Sequence, residues 1–206
     1  MWELYWELCW EILTTAVDDG IVVVVVDRSL IVAEYLEGPE WLSPRELAWG
    51  MVRDAPAPWF GHQLVVGQVF ARLDAHVRAQ QLGVALIAPL DVVLDEQRAL
   101  VVQPDVLFVS EARREIIRHQ VWGAPDLVVE VASRRTARRD RTTKLGWYRR
   151  YGVRECWLVD PDRRTVTVVD LTAKGRGAVA RFKGTERLRS AVLPAFDEPA
   201  DSCFGL

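Results

Sequence analysis

The chain has 206 residues, of which 50% are hydrophobic and 27% charged, with a formal net charge of −3 at pH 7. This length suits one domain with a buried core, and no apolar stretch approaches the roughly 20 residues that span a bilayer. An acidic N-terminus without the basic region of a secretion signal predicts a cytoplasmic protein with no membrane partner, and three cysteines are too few for a disulfide framework.

The N-terminal region is acidic and contains a repeated tetrapeptide. Trp2, Trp6 and Trp10 recur at a spacing of four, which would align them on one face of a helix. This pattern is typical either of an interaction helix or of a local repeat that adds little to the fold, and we favour the repeat. Residues 1–42 are therefore predicted to form an N-terminal extension, and residues 43–200 the main domain.

The elements that follow alternate between strands and helices. The run from Ile21 to Val26 predicts a strand, residues 45–52 a short helix leading into a strand, and residues 61–81 an amphipathic helix. Three apolar strand segments then cover residues 84–94, 101–109 and 127–131. Pro89 and Asp91 interrupt the first of them. Mixed helices and apolar strands indicate an α/β sandwich around one central sheet.

A basic helix and a hairpin complete the pattern. The helix is predicted from Arg138 to Tyr151, ended by Gly152 as a left-handed cap, and strands follow at 156–159 and 166–169. Between Arg134 and Arg150 the chain has eight cations and one acid, although residues 1–60 carry 11 acidic and 3 basic side chains. This cationic segment predicts either a phosphate-binding surface or a solvated helix face.

Two acidic side chains lie inside apolar strands. Asp105 follows Pro104 at the start of one strand, and Glu130 lies within the next. A carboxylate buried in a strand is costly unless it is paired or binds a cation, and neighbouring strands lie about 4.8 Å apart. The two acids therefore predict a shared divalent cation, with salt bridges as the alternative, and Lys144 with its i+4 neighbour Tyr148 could face them from the basic helix.

These residues together resemble a known family. Asp105, the segment 130–133, Lys144 with Tyr148, and the segment 152–161 are similar to the bacterial "putative restriction endonuclease" domain, a branch of the PD-(D/E)xK nuclease superfamily. Glu46-Leu47 with Gly50 resembles its Glu-Leu-x-x-Gly turn, and His62 its helix-initiating histidine. The resemblance covers about residues 43–196 and implies a restriction-endonuclease-like sandwich, a central mixed β-sheet flanked by helices.

The resemblance also implies a mechanism, a metal-dependent endonuclease that hydrolyses DNA phosphodiester bonds. Asp105 and Glu130 would bind Mg²⁺ (or Mn²⁺), and Lys144 would orient the attacking water or stabilise developing charge. Glu46 would supply an outer-shell carboxylate or a ligand of a second metal. No organic cofactor is expected. A homodimer is expected, because two related sites cut both strands of a duplex most simply. Ser133 and Tyr148 would support the carboxylates. His62 would contact the phosphate or, alternatively, only cap its helix, and further contacts with nucleic acid would come from Arg134, Arg135, Arg138, Arg139 and Arg141.

The sequence departs from the superfamily pattern in ways that leave alternatives open. The parent pattern has lysine two residues after the glutamate, where this chain has Ala132, and Cys156 stands where the family usually has an aromatic residue. Asp126, also preceded by proline, is a competing candidate for the first acid. A nuclease-fold protein that binds nucleic acid without cleaving it, or a nuclease acting on RNA or branched DNA, are the alternative functions.

Overall fold

A computed structural model describes most of the chain. The described residues are 15–18, 21–24, 29–38, 45–54, 58–132, 138–173 and 179–205, with backbone alone for 15–18, 21–24 and 138–141. The tryptophan repeat at the N-terminus and residues 133–137 lie outside these ranges. No helix within the described ranges is long and apolar enough to cross a membrane.

Strands are the main element of the described chain, and three α-helices and two 3-10 helices accompany them. The strands are β1 (Thr15–Asp18), β2 (Ile21–Val24), β3 (Arg45–Ala48), β4 (Met51–Asp54), β5 (Gly83–Ile87), β6 (Val92–Asp95), β7 (Leu100–Val102), β8 (Val106–Ser110), β9 (Val121–Trp122), β10 (Leu127–Val131), β11 (Glu155–Asp160), β12 (Thr165–Asp170) and β13 (Val179–Lys183). The helices are α1 (Val32–Leu36), α2 (Phe60–Ala79) and α3 (Arg138–Tyr151), and the 3-10 helices are Glu111–Ile116 and Ala200–Cys203.

The chain forms two compact units. The first unit comprises Met1–Ala57 and Val93–Gln103, and the second comprises Pro58–Val92 and Pro104–Leu206. The second unit contains every residue of the predicted trio, Asp105, Glu130 and Lys144.

The second unit is built on a six-stranded sheet in the order β13-β12-β11-β10-β8-β5. The β10–β11 pair is parallel and the other pairs are antiparallel, so the sheet is mixed. Helix α2 packs its apolar side chains, including Leu73 and Val77, into a core with Val129, Trp157 and Phe196. Because side chains alternate along a strand, Glu130 points away from the face that presents Val129 and Val131 to this core.

The first unit contains strands in the order β1-β2-β4-β3-β7-β6. Residues 45–52 form the β3–β4 hairpin, with Leu47 opposite Val52, so the prediction of a helix there is wrong. Trp49 and Gly50 connect the strands with φ values of +57° and +80°. Two consecutive positive φ angles give a tight hairpin turn whose twist matches the strands, and they do not fit a helix.

Several predicted elements of the second unit are confirmed, and others are divided. Helix α3 has the predicted bounds, and Gly152 follows it with φ +96°. The two apolar stretches 84–94 and 101–109 each contain two strands that belong to different units, so one predicted strand becomes β5 and β6 and the other β7 and β8. Strand β13 was not predicted, because its side chains are largely exposed and lack an apolar repeat.

Gly83 should be indispensable where strand β5 begins. It has a φ of +146°, and a Cβ there would lie 2.2 Å from the carbonyl oxygen of Val109. We expect Gly83→Ala to lower the free energy of unfolding by about 2–4 kcal/mol, because backbone must move to relieve the overlap. Urea unfolding followed by circular dichroism measures the change.

Gly67, on the exposed side of helix α2, offers a matched control. A Cβ at this position meets no described atom within 4 Å, so Gly67→Ala should raise the free energy of unfolding by about 0.5–1 kcal/mol. Equal stabilities of the two alanine variants would contradict the conformational requirement at Gly83.

Candidate active site

The pairing of β8 with β10 relates the positions of the two acids of the trio. This antiparallel pair places Val106 opposite Val129 and Leu107 opposite Val128. Continued by one residue, the same register brings Asp105 opposite Glu130. Opposed residues in such pairs have Cα atoms about 4.5–5.5 Å apart, so the strand pairing brings the backbone positions of the two acids close together.

Asp105 is held by the backbone of the neighbouring strand. Its Oδ2 accepts a hydrogen bond from the N–H of Val131 at 2.7 Å, and its Oδ1 lies 3.6 Å from Nε2 of His62. The side chain of Asp105 is 20% exposed. One carboxylate oxygen is therefore fixed by the sheet, and the other faces an imidazole at an accessible position.

Glu130 receives two side chains from helix α3. The Nζ of Lys144 lies 2.8 Å from Oε1 of Glu130, and the hydroxyl of Tyr148 donates a hydrogen bond to the same oxygen. Lys144 and Tyr148 are four residues apart, so they share one helix face. Lys144 and Tyr148 are buried, which makes this ion pair far less screened by water than one at the surface.

His62 lies in the first turn of α2, as predicted, and contacts the site. It is buried, and the N-cap position belongs to Trp59, which makes no side-chain cap. Burial lowers the pKa of His62, but hydrogen bonds with Asp105 and the Val131 backbone, together with the charges of Asp105 and Glu130, outweigh it and raise the pKa above 6.5. A raised pKa favours the imidazolium beside Asp105.

The opposite ring nitrogen of His62, Nδ1, is buried and has no hydrogen-bond partner among the described residues. A buried polar atom without a partner is uncommon in folded proteins. The described side-chain contact of the His62 ring at the site is therefore the one between Nε2 and Asp105, and its role towards nucleic acid stays a prediction.

Glu46 lies in the first unit, on strand β3. Its Oε1 accepts a hydrogen bond from the N–H of Gln103 at 2.9 Å, within the same unit. Its role as an outer carboxylate stays a prediction.

The structure describes only part of the arginine cluster. Ser133, Arg134 and Arg135 lie outside the described residues. The backbone of Arg138, Arg139 and Arg141 belongs to the first turns of α3, but their side chains are not described. Their predicted contacts with nucleic acid stay predictions.

Asp126, the competing candidate for the first acid, is bound by donors from the protein itself. Its side chain is 1% exposed, its Oδ2 accepts from the N–H of Ser110 at 2.8 Å, and Arg113 and Arg154 lie 3.3 and 3.5 Å from Oδ1. Burial raises the pKa of Asp126, but the bonds from Ser110 and the cation of Arg113 outweigh it and lower the pKa below 3.8. Asp126 is thus committed to protein donors at the other end of β10 from Glu130.

Glu155 is another buried carboxylate of this sheet, and the sequence pattern did not predict its role. It is 1% exposed and accepts hydrogen bonds from Nε1 of Trp157, Oγ of Ser190 and the N–H of Ala191, at 2.6–2.7 Å. Cys156 beside it is buried, and burial raises the pKa of its thiol well above 9.0. Glu155 fixes the segment around Ser190, and the Cys156 thiol stays protonated.

The donor chemistry of Asp105 and Glu130 fits a hard divalent cation. The described residues contain no cluster of three or more His, Cys, Asp or Glu side chains that could bind a metal. Mg²⁺, however, is commonly bound through one or two carboxylates, with waters and substrate phosphate completing its shell. A pair of carboxylates at the end of two strands suits that mode.

Comparison with known proteins agrees with this architecture. A family model described as "Uma2: Putative restriction endonuclease" matches residues 33–200. The fold is also similar to the crystal structure of "a putative nuclease belonging to DUF820" from Anabaena variabilis ATCC 29413, with a TM-score of 0.70 and 19% identity over 85% of this chain and 97% of that chain. The predicted fold class, a mixed sheet flanked by helices in a nuclease-like sandwich, is confirmed. No curated protein matches the chain.

Asp126 should contribute stability in a pH-dependent way. Because its pKa is lowered in the folded protein, its contribution is present above pH 3.8 and is lost as the pH falls through the folded-state pKa. Asp126→Asn should therefore lower the free energy of unfolding by about 1–3 kcal/mol at pH 7, with a smaller difference from wild type at pH 2–3. Urea unfolding at several pH values measures the difference.

Asp74 provides the matched aspartate control for that experiment. It pairs with Arg78 one turn later on the solvent side of α2, where an exposed pair contributes little. Asp74→Asn should change the free energy of unfolding by less than about 0.5 kcal/mol. A cost for Asp126→Asn no larger than this would contradict the anchoring role.

Proposed function

The chain belongs to the family described as "Putative restriction endonuclease", whose model matches residues 33–200. On that premise we propose that it is a metal-dependent endonuclease that hydrolyses DNA phosphodiester bonds. The observation that carries this proposal is the 2.8 Å contact between Nζ of Lys144 and Oε1 of Glu130. A lysine from the next helix reaches the glutamate beside Asp105, which supports the inference that the site retains both acids and the amine of the superfamily pattern.

Asp105 and Glu130 would hold the cation, Mg²⁺ or Mn²⁺. When bound, the ion would supply an acidified water and neutralise charge on the phosphate. Fixing Asp105 through the Val131 N–H keeps its carboxylate oriented without help from the ion, which reduces the reorganisation that binding requires.

Lys144 would act on the reacting groups directly. Its ammonium is buried beside Glu130, in a position where water screens it little, and a cation placed so is effective at stabilising charge that develops on a phosphate. Tyr148 would act through Glu130, because its hydroxyl bonds the oxygen that Lys144 contacts and so limits the rotation of the carboxylate.

His62 and the arginine cluster would contact the substrate. An imidazolium at His62 would add a positive charge next to Asp105, which would attract a substrate phosphate. The arginines of the segment 134–141 would hold the DNA backbone, which supplies affinity without sequence information. A homodimer acting in the cytoplasm would present two such sites to the strands of a duplex.

Cleavage of supercoiled plasmid DNA tests the proposal. Wild type should nick and linearise plasmid with Mg²⁺ or Mn²⁺ and should be inactive in EDTA. Glu130→Gln and Lys144→Met should each reduce the rate by about 100-fold or more, because each removes a group that acts at the reacting phosphate. Gel electrophoresis over a time course measures the rates, and calorimetric Mn²⁺ titration should show weaker binding for Glu130→Gln.

Glu111 supplies the control glutamate for this comparison. It is 60% exposed and pairs with Arg114 three residues later, so Glu111→Gln makes the same chemical change at the surface of the same unit. Its plasmid cleavage should match wild type. Activity of wild type in EDTA, or undiminished activity of Glu130→Gln, would refute the mechanism. DNA binding without cleavage under every metal condition would favour the binding protein over the enzyme.

Tyr148→Phe isolates the supporting hydroxyl. It removes one hydrogen bond to Glu130 and keeps the ring in place, so we expect a decrease of about 10-fold in cleavage rate, as is common for outer partners of metal ligands. Raising the Mn²⁺ concentration should recover part of the lost rate. A Tyr148→Phe protein as inactive as Glu130→Gln would assign the hydroxyl a direct part in the reaction.

A further inference from the structure

A cavity of about 470 Å³ lies in the second unit, between helix α3 and strands β11, β12 and β13. Leu145 from the helix and Leu158 from β11 form its apolar lining, and Thr167 and Arg181 come from β12 and β13. Cavities of this size hold compact organic ligands, and one nucleotide falls in that class.

Strand register connects the cavity to the site. Glu130 is paired with Leu158, Leu158 with Thr167, and Thr167 with Arg181. Paired residues of neighbouring strands point to the same face of a sheet, and the strands are about 4.8 Å apart. Leu158 is therefore one strand spacing from Glu130, and Arg181 about 14 Å from it, on the same face of the sheet.

The lining of the cavity combines two kinds of chemistry. The leucines provide apolar surface, whereas the Thr167 hydroxyl and the Arg181 guanidinium provide donors for a phosphate oxygen. The acid at the rim, Asp160, is engaged by Arg163, which lies 2.8 Å from Oδ2 and donates its backbone N–H to Oδ1. This pairing offsets the charge that would repel an anion.

We propose that this cavity holds a nucleotide of the DNA strand that passes Glu130. The sugar and base would lie against Leu145 and Leu158, and a phosphate would contact Arg181 and Thr167. The inference rests on the proposed nuclease function and extends it, because it assigns to the sheet face beyond Glu130 the part of the substrate next to the bond that is cut. It adds Arg181 and Thr167 to the substrate contacts expected of the arginine segment 134–141.

Binding of a fluorescein-labelled thymidine hexanucleotide, measured by fluorescence anisotropy in EDTA, tests the assignment without requiring cleavage. Arg181→Ala should weaken binding about 5- to 10-fold and reduce the slope of log affinity against log salt by about 0.7, the loss of one phosphate contact on a single strand. Thr167→Phe, which fills the cavity, should weaken binding about 10-fold or more with the slope unchanged.

Arg114→Ala is the matched charge control. Arg114 pairs with Glu111 and is 61% exposed, so this variant changes net charge as Arg181→Ala does, outside the cavity. It should alter affinity less than about twofold. Circular dichroism melting should confirm that the three variants fold.

The outcomes separate the cavity from the catalytic proposal. If Arg181→Ala and Thr167→Phe bind the hexanucleotide with the same affinity as Arg114→Ala, the cavity assignment is overturned, even if wild type cleaves plasmid. Weakened binding in both variants, with no cleavage by wild type under any metal condition, would support the cavity as a nucleotide site and overturn the nuclease. Thymidine monophosphate that binds through Arg181 but does not compete with the hexanucleotide would indicate a separate effector site and overturn the inference.

Discussion

The site depends on one antiparallel strand pair, β8 with β10, which an aspartate fixes at each end. Asp105 precedes β8, and its carboxylate accepts the N–H of Val131 at the end of β10. Asp126 precedes β10, and its carboxylate accepts the N–H of Ser110 at the end of β8. Both aspartates follow a proline, which has no N–H to donate. The pair therefore has a local twofold character, and a slip by one residue would turn Glu130 towards the apolar core.

This duplication explains why the sequence offered two candidates for the first acid. Pro104-Asp105 and Pro125-Asp126 look alike, since each introduces an apolar strand. The two aspartates differ in their side-chain partners in the folded protein. Arg113 and Arg154 lie near Asp126, whereas His62 lies near Asp105. His62 and Arg154 come from segments distant in sequence from the aspartates that they contact. Arg113 comes from a 3-10 helix, whose path cannot be read from hydrophobic periodicity.

Helices α2 and α3 and strands β10, β11 and β12 could be predicted, because regular burial imposes a regular pattern on the chain. The strands β5 and β6 could not be separated from the sequence, and neither could β7 and β8. Each pair lies in one largely apolar run, and such a run looks the same whether its two strands join one sheet or two. The β3–β4 hairpin was mistaken for a helix, since its turn uses Trp49 at a positive φ, a conformation that tryptophan seldom adopts. The contact of Lys144 with Glu130 likewise depends on how α3 returns over the sheet, and spacing alone cannot fix that path.

The division of the chain between its two units affects how the second unit could be isolated. The chain crosses between units three times, after residues 57, 92 and 103, yet β5 and β8 are direct neighbours in the sheet of the second unit. Deleting residues 1–57 would therefore leave β7 and most of β6 behind, deprived of β3 as a hydrogen-bonding neighbour. Exposed edges of that kind invite pairing with other chains. An isolated second unit would have to lose the N-terminal region and residues 93–103 together, with a short link inserted before Pro104, and so its boundaries are set by topology and not by position along the sequence.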